Sequence, residues 1–133
     1  MYEMKIKTSK ENDTNMLVVK EQWSLGPIKT SIYPKDNAEY WSMMAKSWRI
    51  SEEEARSRLC ANCEYFNNTP DMMIQMNKIP LNNYDLDGGG RGYCHKFDFI
   101  CHNLRTCKAW EEKEFRLIDE ESFNSVFMKG CMK

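Results

Sequence analysis

The spacing of apolar residues changes several times along the chain, and each change marks a predicted element. Residues 15–34, NMLVVKEQWSLGPIKTSIYP, place Val18, Val19, Trp23, Ile28, Ile32 and Tyr33 on either side of Gly26-Pro27. Such β-branched and aromatic content around a Gly-Pro pair predicts two strands joined by a turn. In NAEYWSMMAKSW the period lengthens: Tyr40, Met43, Met44 and Ser47 recur at helical spacing, with Asp36 as the expected N-cap. Ser51 and Glu54 have the form of a capping box, which predicts a second helix through EEEARSRL. That helix delivers Cys60 and Cys63 at its C-terminal end.

Thr69-Pro70 predicts an N-cap followed by proline at the first helical position, opening a short helix over DMMIQM. Residues 82–92, NNYDLDGGGRG, hold four glycines and predict a loop. Residues 94–110 have no helical stripe and predict turns around the cysteines. Asp119 is expected to cap a last helix, EESFNSVFMK, with Phe123, Val126 and Phe127 on one face and Gly130 as its stop. The pattern is that of an α+β chain. A β-hairpin and two helices precede a small irregular unit of short helices and turns. Residues 1–50 form the expected arm for docking or packing, and residues 51–133 the cysteine-bearing domain.

A chain of 133 residues can bury a core without cross-links. Its net charge of −1 argues against a general binder of nucleic acid or of anionic membranes. No window approaches the length of an apolar membrane span. The start, MYEMKIKTSKENDTN, shows neither an apolar signal core nor a twin arginine. The expectation is therefore a cytoplasmic protein, or one incorporated in a virion. In a reducing compartment, clustered cysteines serve metals more often than disulfides.

Five of the six cysteines lie in LCANCEYF and GYCHKFDFICHNLRTCKAW, and Cys131 stands apart. Cys60 and Cys63 form a C-x2-C pair, which lets two thiolates reach one centre from a single turn. Cys94 and Cys107 follow with twelve residues between them, and Cys101, His95 and His102 lie inside that span. Zinc is the usual tenant of a C-x2-C pair in reduced proteins, but it generally draws on a second tight knuckle. The wide second half suits a larger body, such as a [4Fe–4S] cube approached by thiolates from several sides.

The residues beside the cysteines add to this. CANC, then GYCHKF, then CKAW with tryptophan three after the cysteine, resemble the high-potential iron–sulfur proteins (HiPIPs) over about residues 59–110. The resemblance implies Cys60, Cys63, Cys94 and Cys107 as cluster ligands. It also implies an aromatic shell drawn from Phe97, Trp110, Tyr65, Phe66 and Tyr93. Cys101 is extra, either a buried thiol beside the cluster or an alternative fourth ligand. The gap between Cys63 and Cys94 is about twice the family's usual length, which chain entropy tolerates at a cost of only ~0.6 kcal/mol per doubling. Residues 1–50 and the last predicted helix have no counterpart in the family. HiPIP-like sequences also occur among tailed-bacteriophage genes.

Backbone amides around Cys63 and Cys94, together with Asn62, are candidate donors to sulfur. A nucleophilic pairing of Cys94 with His95, or of Cys101 with His102, lacks an orienting partner, and neighbours in sequence point apart. DGGGRG has no lysine and hydroxyl residue after it and is not a phosphate loop. Met43, Met44, Met72, Met73 and Met76 are expected to fill an irregular core or face a partner. The expected function is thus non-enzymatic: a [4Fe–4S] cluster held for single-electron transfer or as a staple. The alternatives are a structural subunit of a larger assembly, such as a phage capsid or tail, and a zinc-stapled adaptor. Protein partners are expected through the N-terminal arm.

Overall fold

A computed structural model describes residues 3–113. The helix expected after Asp119, and Cys131, lie outside them. Among the described residues the protein is a small mixed α+β fold with five α-helices and a three-stranded antiparallel sheet.

The first helix, α1 (Ser9–Trp23), occupies sequence expected to be extended. Its start is a capping box: Glu11 N–H donates to Thr8 Oγ1 at 3.1 Å, and Thr8 N–H returns to Glu11 Oε1 at 3.1 Å. Met16, Val19 and Trp23 share one helical face and enter the core, whereas Leu17 and Val18 face solvent. Gly26 turns no hairpin. It pairs instead with the distant Thr106, each amide donating to the other's carbonyl at 3.0 and 2.7 Å.

Helix α2 (Ala38–Trp48) begins after Asn37, not Asp36; Asp36 Oδ2 accepts from Ser31 Oγ at 2.6 Å. Trp41, Met44 and Ala45 pack against Ala55 of α3 (Glu52–Arg56). Ser51 caps α3 as expected, its Oγ accepting from Glu54 N–H at 3.0 Å. The helix stops at Arg56, short of the cysteines, and a separate 3-10 turn over Cys60–Asn62 carries the C-x2-C pair.

Next come β1 (Phe66–Asn67), then α4 (Pro70–Met76) behind its Thr69 cap, and α5 (Asn83–Leu86) behind Asn82. Strands β2 (Arg91–Cys94) and β3 (Phe99–His102) form a hairpin where loop and turns were expected. Its tip closes when Asp98, left-handed at φ 53°, donates N–H to Cys94 O at 2.8 Å. The sheet order is β1-β2-β3, with Phe66 opposite Cys94 and Gly92 opposite Cys101. Only glycine fits at position 92, because a Cβ there would fall within the Phe66 ring.

Alternation along the strands separates two cores. Tyr93 and Ile100 face Met4, Ile6, Met72, Met76 and Ile79. Phe66, Phe99 and Cys101 gather with Val19, Leu25 and Cys60 in the other core. Helix α1 is tied to the hairpin: buried Asn12 Oδ1 accepts from Ile100 N–H, and Asn15 Nδ2 donates to Asp98 O, both at 2.7 Å. Helix α1 thus packs on the cysteine side of the sheet. Among the described residues no helix is long and apolar enough to cross a membrane.

Candidate metal centre

Cys60, Cys63, Cys94, Cys101 and Cys107 all line one void, and none of the five is in a disulfide. The cavity between the lining residues has a volume of about 20 Å³. A body bonded to sulfur needs less clearance than a free one, because its bonds are shorter than van der Waals contacts. Phe66, Phe97, Phe99, Leu25 and Trp110 form apolar walls, and Tyr65 joins them. Trp23 packs against Phe97 with ring centroids 5.6 Å apart.

The cysteines differ in how the backbone presents them. The carbonyls of Cys60, Cys63 and Cys107 each accept from the amide three residues on: Cys63 at 3.0 Å, Phe66 at 3.1 Å and Trp110 at 3.0 Å. Cys94 O closes the wider turn to Asp98. Inside such turns the amide two residues after the cysteine points back at its own sulfur, as in an Asx-turn. The Tyr65 and Glu111 amides oppose the upward shift of the Cys63 thiol. The Lys96 and Phe97 amides do so for Cys94, and that of Ala109 for Cys107. Cys101 sits mid-strand in β3, opposite Gly92, without a turn of its own.

Burial is the main influence on these thiols. It pushes Cys94 and Cys107 up to about 12, the charges of the other cysteines adding to it and the turn amides opposing it. Cys63 moves up for the same first reason, and the fully buried Cys101 moves well above the ordinary range. Ionising the set is thus costly unless a cationic body binds the sulfurs directly. Yet no group of three or more His, Cys, Asp or Glu side chains among the described residues is placed to hold a single metal ion.

Trp110 closes the void. Its Nε1–H donates to Leu59 O at 3.0 Å and to Asn62 Oδ1 at 2.9 Å, which ties the CKAW segment to the C-x2-C turn. Asn62 is therefore occupied with backbone and indole: Oδ1 also accepts from Leu59 N–H, and Nδ2 donates to Ser57 O. The expectation that it donates to sulfur finds no such bond. Of two nearby cations, Lys96 lines the void and Arg58 stacks on the indole of Trp110. Arg58 lies 4.8 Å from the Trp110 ring centroid and 5.0 Å from that of Trp48, and Lys96 Nζ lies 5.0 Å from Tyr65.

Of the aromatic residues expected around the centre, Phe97, Trp110 and Tyr65 line it and Tyr93 does not. Strand alternation turns Tyr93 to the opposite core, where its hydroxyl donates to Asp98 Oδ1 at 3.0 Å. Phe99 and Leu25 were missed, and the β2–β3 register that brings Phe99 in was the signal available for it. Neither histidine serves as a base for its neighbouring thiol. His95 Nε2 meets Asn67 Nδ2 at 3.0 Å, and His102 belongs to a buried network on the far side of β3.

That network positions the centre from behind. Asp85 takes two bonds from Arg91, Nε at 2.9 Å and Nη2 at 2.8 Å, and lies 2.7 Å from His102 Nε2. Arg105 Nη1 meets His102 Nδ1 at 2.7 Å, and the guanidinium also donates to the carbonyls of Pro27 and Ile28. Arg105 stacks 3.5 Å from the Tyr84 ring centroid, and its own carbonyl accepts from Cys60 N–H at 2.6 Å. No family model, curated protein or solved structure matches this chain.

Proposed function

We propose that this protein binds a [4Fe–4S] cluster through Cys60, Cys63, Cys94 and Cys107 in a HiPIP-like module. The observation that carries this reading is the set of turns. Cys60, Cys63 and Cys107 each open a turn closed by the amide three residues on, Cys94 opens a wider one closed by Asp98, and all four line the same void. Four cysteine-bearing turns brought to one apolar void favour a bulky, sulfur-bound body over one ion. When bound, such a group supplies a one-electron redox centre. The chain's own residues would exclude water from it with Phe66, Phe97, Phe99 and Trp110, and would set cationic Lys96 and Arg58 at its rim. Electron transfer is supported by the partial exposure of Cys63, Cys94 and Cys107, which keeps the centre near the surface.

The test is iron, sulfide and zinc analysis of anaerobically purified protein, followed by voltammetry. Four irons and four sulfides per chain with a reversible wave are expected. Stoichiometric zinc without sulfide would replace this reading with a zinc-stapled adaptor.

A second reading makes the same centre a staple within a larger assembly, such as a virion. It is favoured by the loop before α2, where Ile32 and Tyr33 are 78% and 67% exposed. Loaded protein without a reversible wave, running as an oligomer, would support it.

A further inference from the structure

One buried polar atom at the centre has no partner. Thr106 is fully buried, lines the void beside Cys107, and its Oγ1 makes no hydrogen bond. Its backbone is fully engaged with Gly26, so the residue is held firmly while its hydroxyl is left over. A buried hydroxyl without a partner costs ~1–3 kcal/mol, and an apolar residue of similar shape would avoid that cost. The void it lines is shared with all five described cysteines.

We propose that the Thr106 hydroxyl donates a hydrogen bond to a sulfur of the bound cluster and raises its reduction potential. This rests on the cluster reading above. The physical basis is charge. Adding one electron, supplied by an electrode or a protein donor, makes the cluster sulfurs more negative and so better acceptors. A fixed O–H donor in a dry site therefore stabilises the reduced state more than the oxidised one. Thr106 has a role distinct from the turn amides: its side chain can be changed without disturbing the backbone that presents the cysteines. It acts as a positioning and tuning residue, not as a ligand.

The experiment compares wild type with Thr106→Val and Thr106→Ser, all carrying the full chain. Iron and sulfide content is measured first, so that failure of the cluster reading is seen on its own as wild-type protein without iron or sulfide. In loaded protein, Thr106→Val is expected to shift the midpoint potential to more negative values, while Thr106→Ser stays near wild type. Resonance Raman spectra in H2O and D2O give a second readout that does not need a reversible wave. The Fe–S stretching bands of wild type and Thr106→Ser should shift more on deuteration than those of Thr106→Val. If Thr106→Val fails to load, Thr106→Ala replaces it in both measurements. Equal potentials and equal isotope shifts across the loaded proteins would overturn the assignment and leave the cluster reading standing.

Discussion

Arg105 Nη1 lies 2.7 Å from His102 Nδ1 and can only donate, so His102 Nδ1 is the acceptor and its proton sits on Nε2 against Asp85. This fixes a neutral imidazole between a guanidinium and a carboxylate. Burial first, then the charges of Arg105 and Arg91, lower its pKa below the ordinary 6.5, while Asp85 works the other way. Tyr84 meets the ring edge-on from α5, with centroids 5.7 Å apart, and adds no charge at neutral pH. Because the folded-state pKa is the lower one, stability from this arrangement is complete above 6.5 and declines as the solution is acidified below it. Urea melts from about pH 8 down to about pH 5 should show falling stability, and His102→Gln should flatten the slope. An unchanged slope in the variant would assign the effect to other groups.

Asp85 titrates lower still. Burial raises its pKa, but hydrogen bonds from Arg91 and His102 outweigh it and bring the carboxyl from 3.8 to about 2. With only 6% of its side chain exposed, that difference corresponds to about 2 kcal/mol of stability. The contribution is present above 3.8 and lost as pH falls toward 2. Asp85→Asn leaves Arg91 buried without its counter-charge, which costs roughly 3–5 kcal/mol in comparable pairs. The denaturation midpoint is expected to drop by that free energy divided by an unchanged m-value.

Cys101 should behave unlike the other four described cysteines. Cys60→Ala, Cys63→Ala, Cys94→Ala and Cys107→Ala are each expected to lose most bound iron. Cys101→Ala should keep the wild-type iron and sulfide content while losing about 1–2 kcal/mol from its buried site. Iron loss in Cys101→Ala, with retention in one of the others, would exchange that ligand for Cys101.

The indole of Trp110 both covers the void and pins two segments together. Trp110→Phe keeps a ring there but removes the donor to Leu59 and Asn62; Trp110→Ala removes both. Bleaching of the visible absorption under air or with a chelator should be faster in the order alanine, phenylalanine, wild type. Identical decay rates would mean that water reaches the centre by another route.

Much of the helical framework was readable because its signals are local. Ser51 with Glu54, and Thr69-Pro70, mark helix starts by side-chain chemistry that needs no tertiary partner. Helix α1 was read as strand because Val18 and Val19 carry β propensity, although Val18 is exposed and only Val19 is buried. The better signals were Thr8 with Glu11, and the helical interval linking Met16, Val19 and Trp23. Gly26-Pro27 misled because its backbone partner, Thr106, lies at the other end of the described chain. The β2–β3 hairpin was hidden by its turn, where Asp98 and not glycine takes the left-handed position. Cys60, Cys63, Cys94 and Cys107, singled out by their spacing, line one void together with Cys101. Tyr93 was misplaced because side-chain alternation is visible only once the strand is known.

The turns opened by Cys60, Cys63, Cys94 and Cys107 are each closed by an amide three or four residues further on. A contact of that range closes without waiting for distant parts of the chain, on the time scale of loop closure, not of sheet assembly. Each knuckle can therefore be finished while the thirty residues between Cys63 and Cys94 are still unordered. Assembly of the site then becomes a search by ready-made turns for one another.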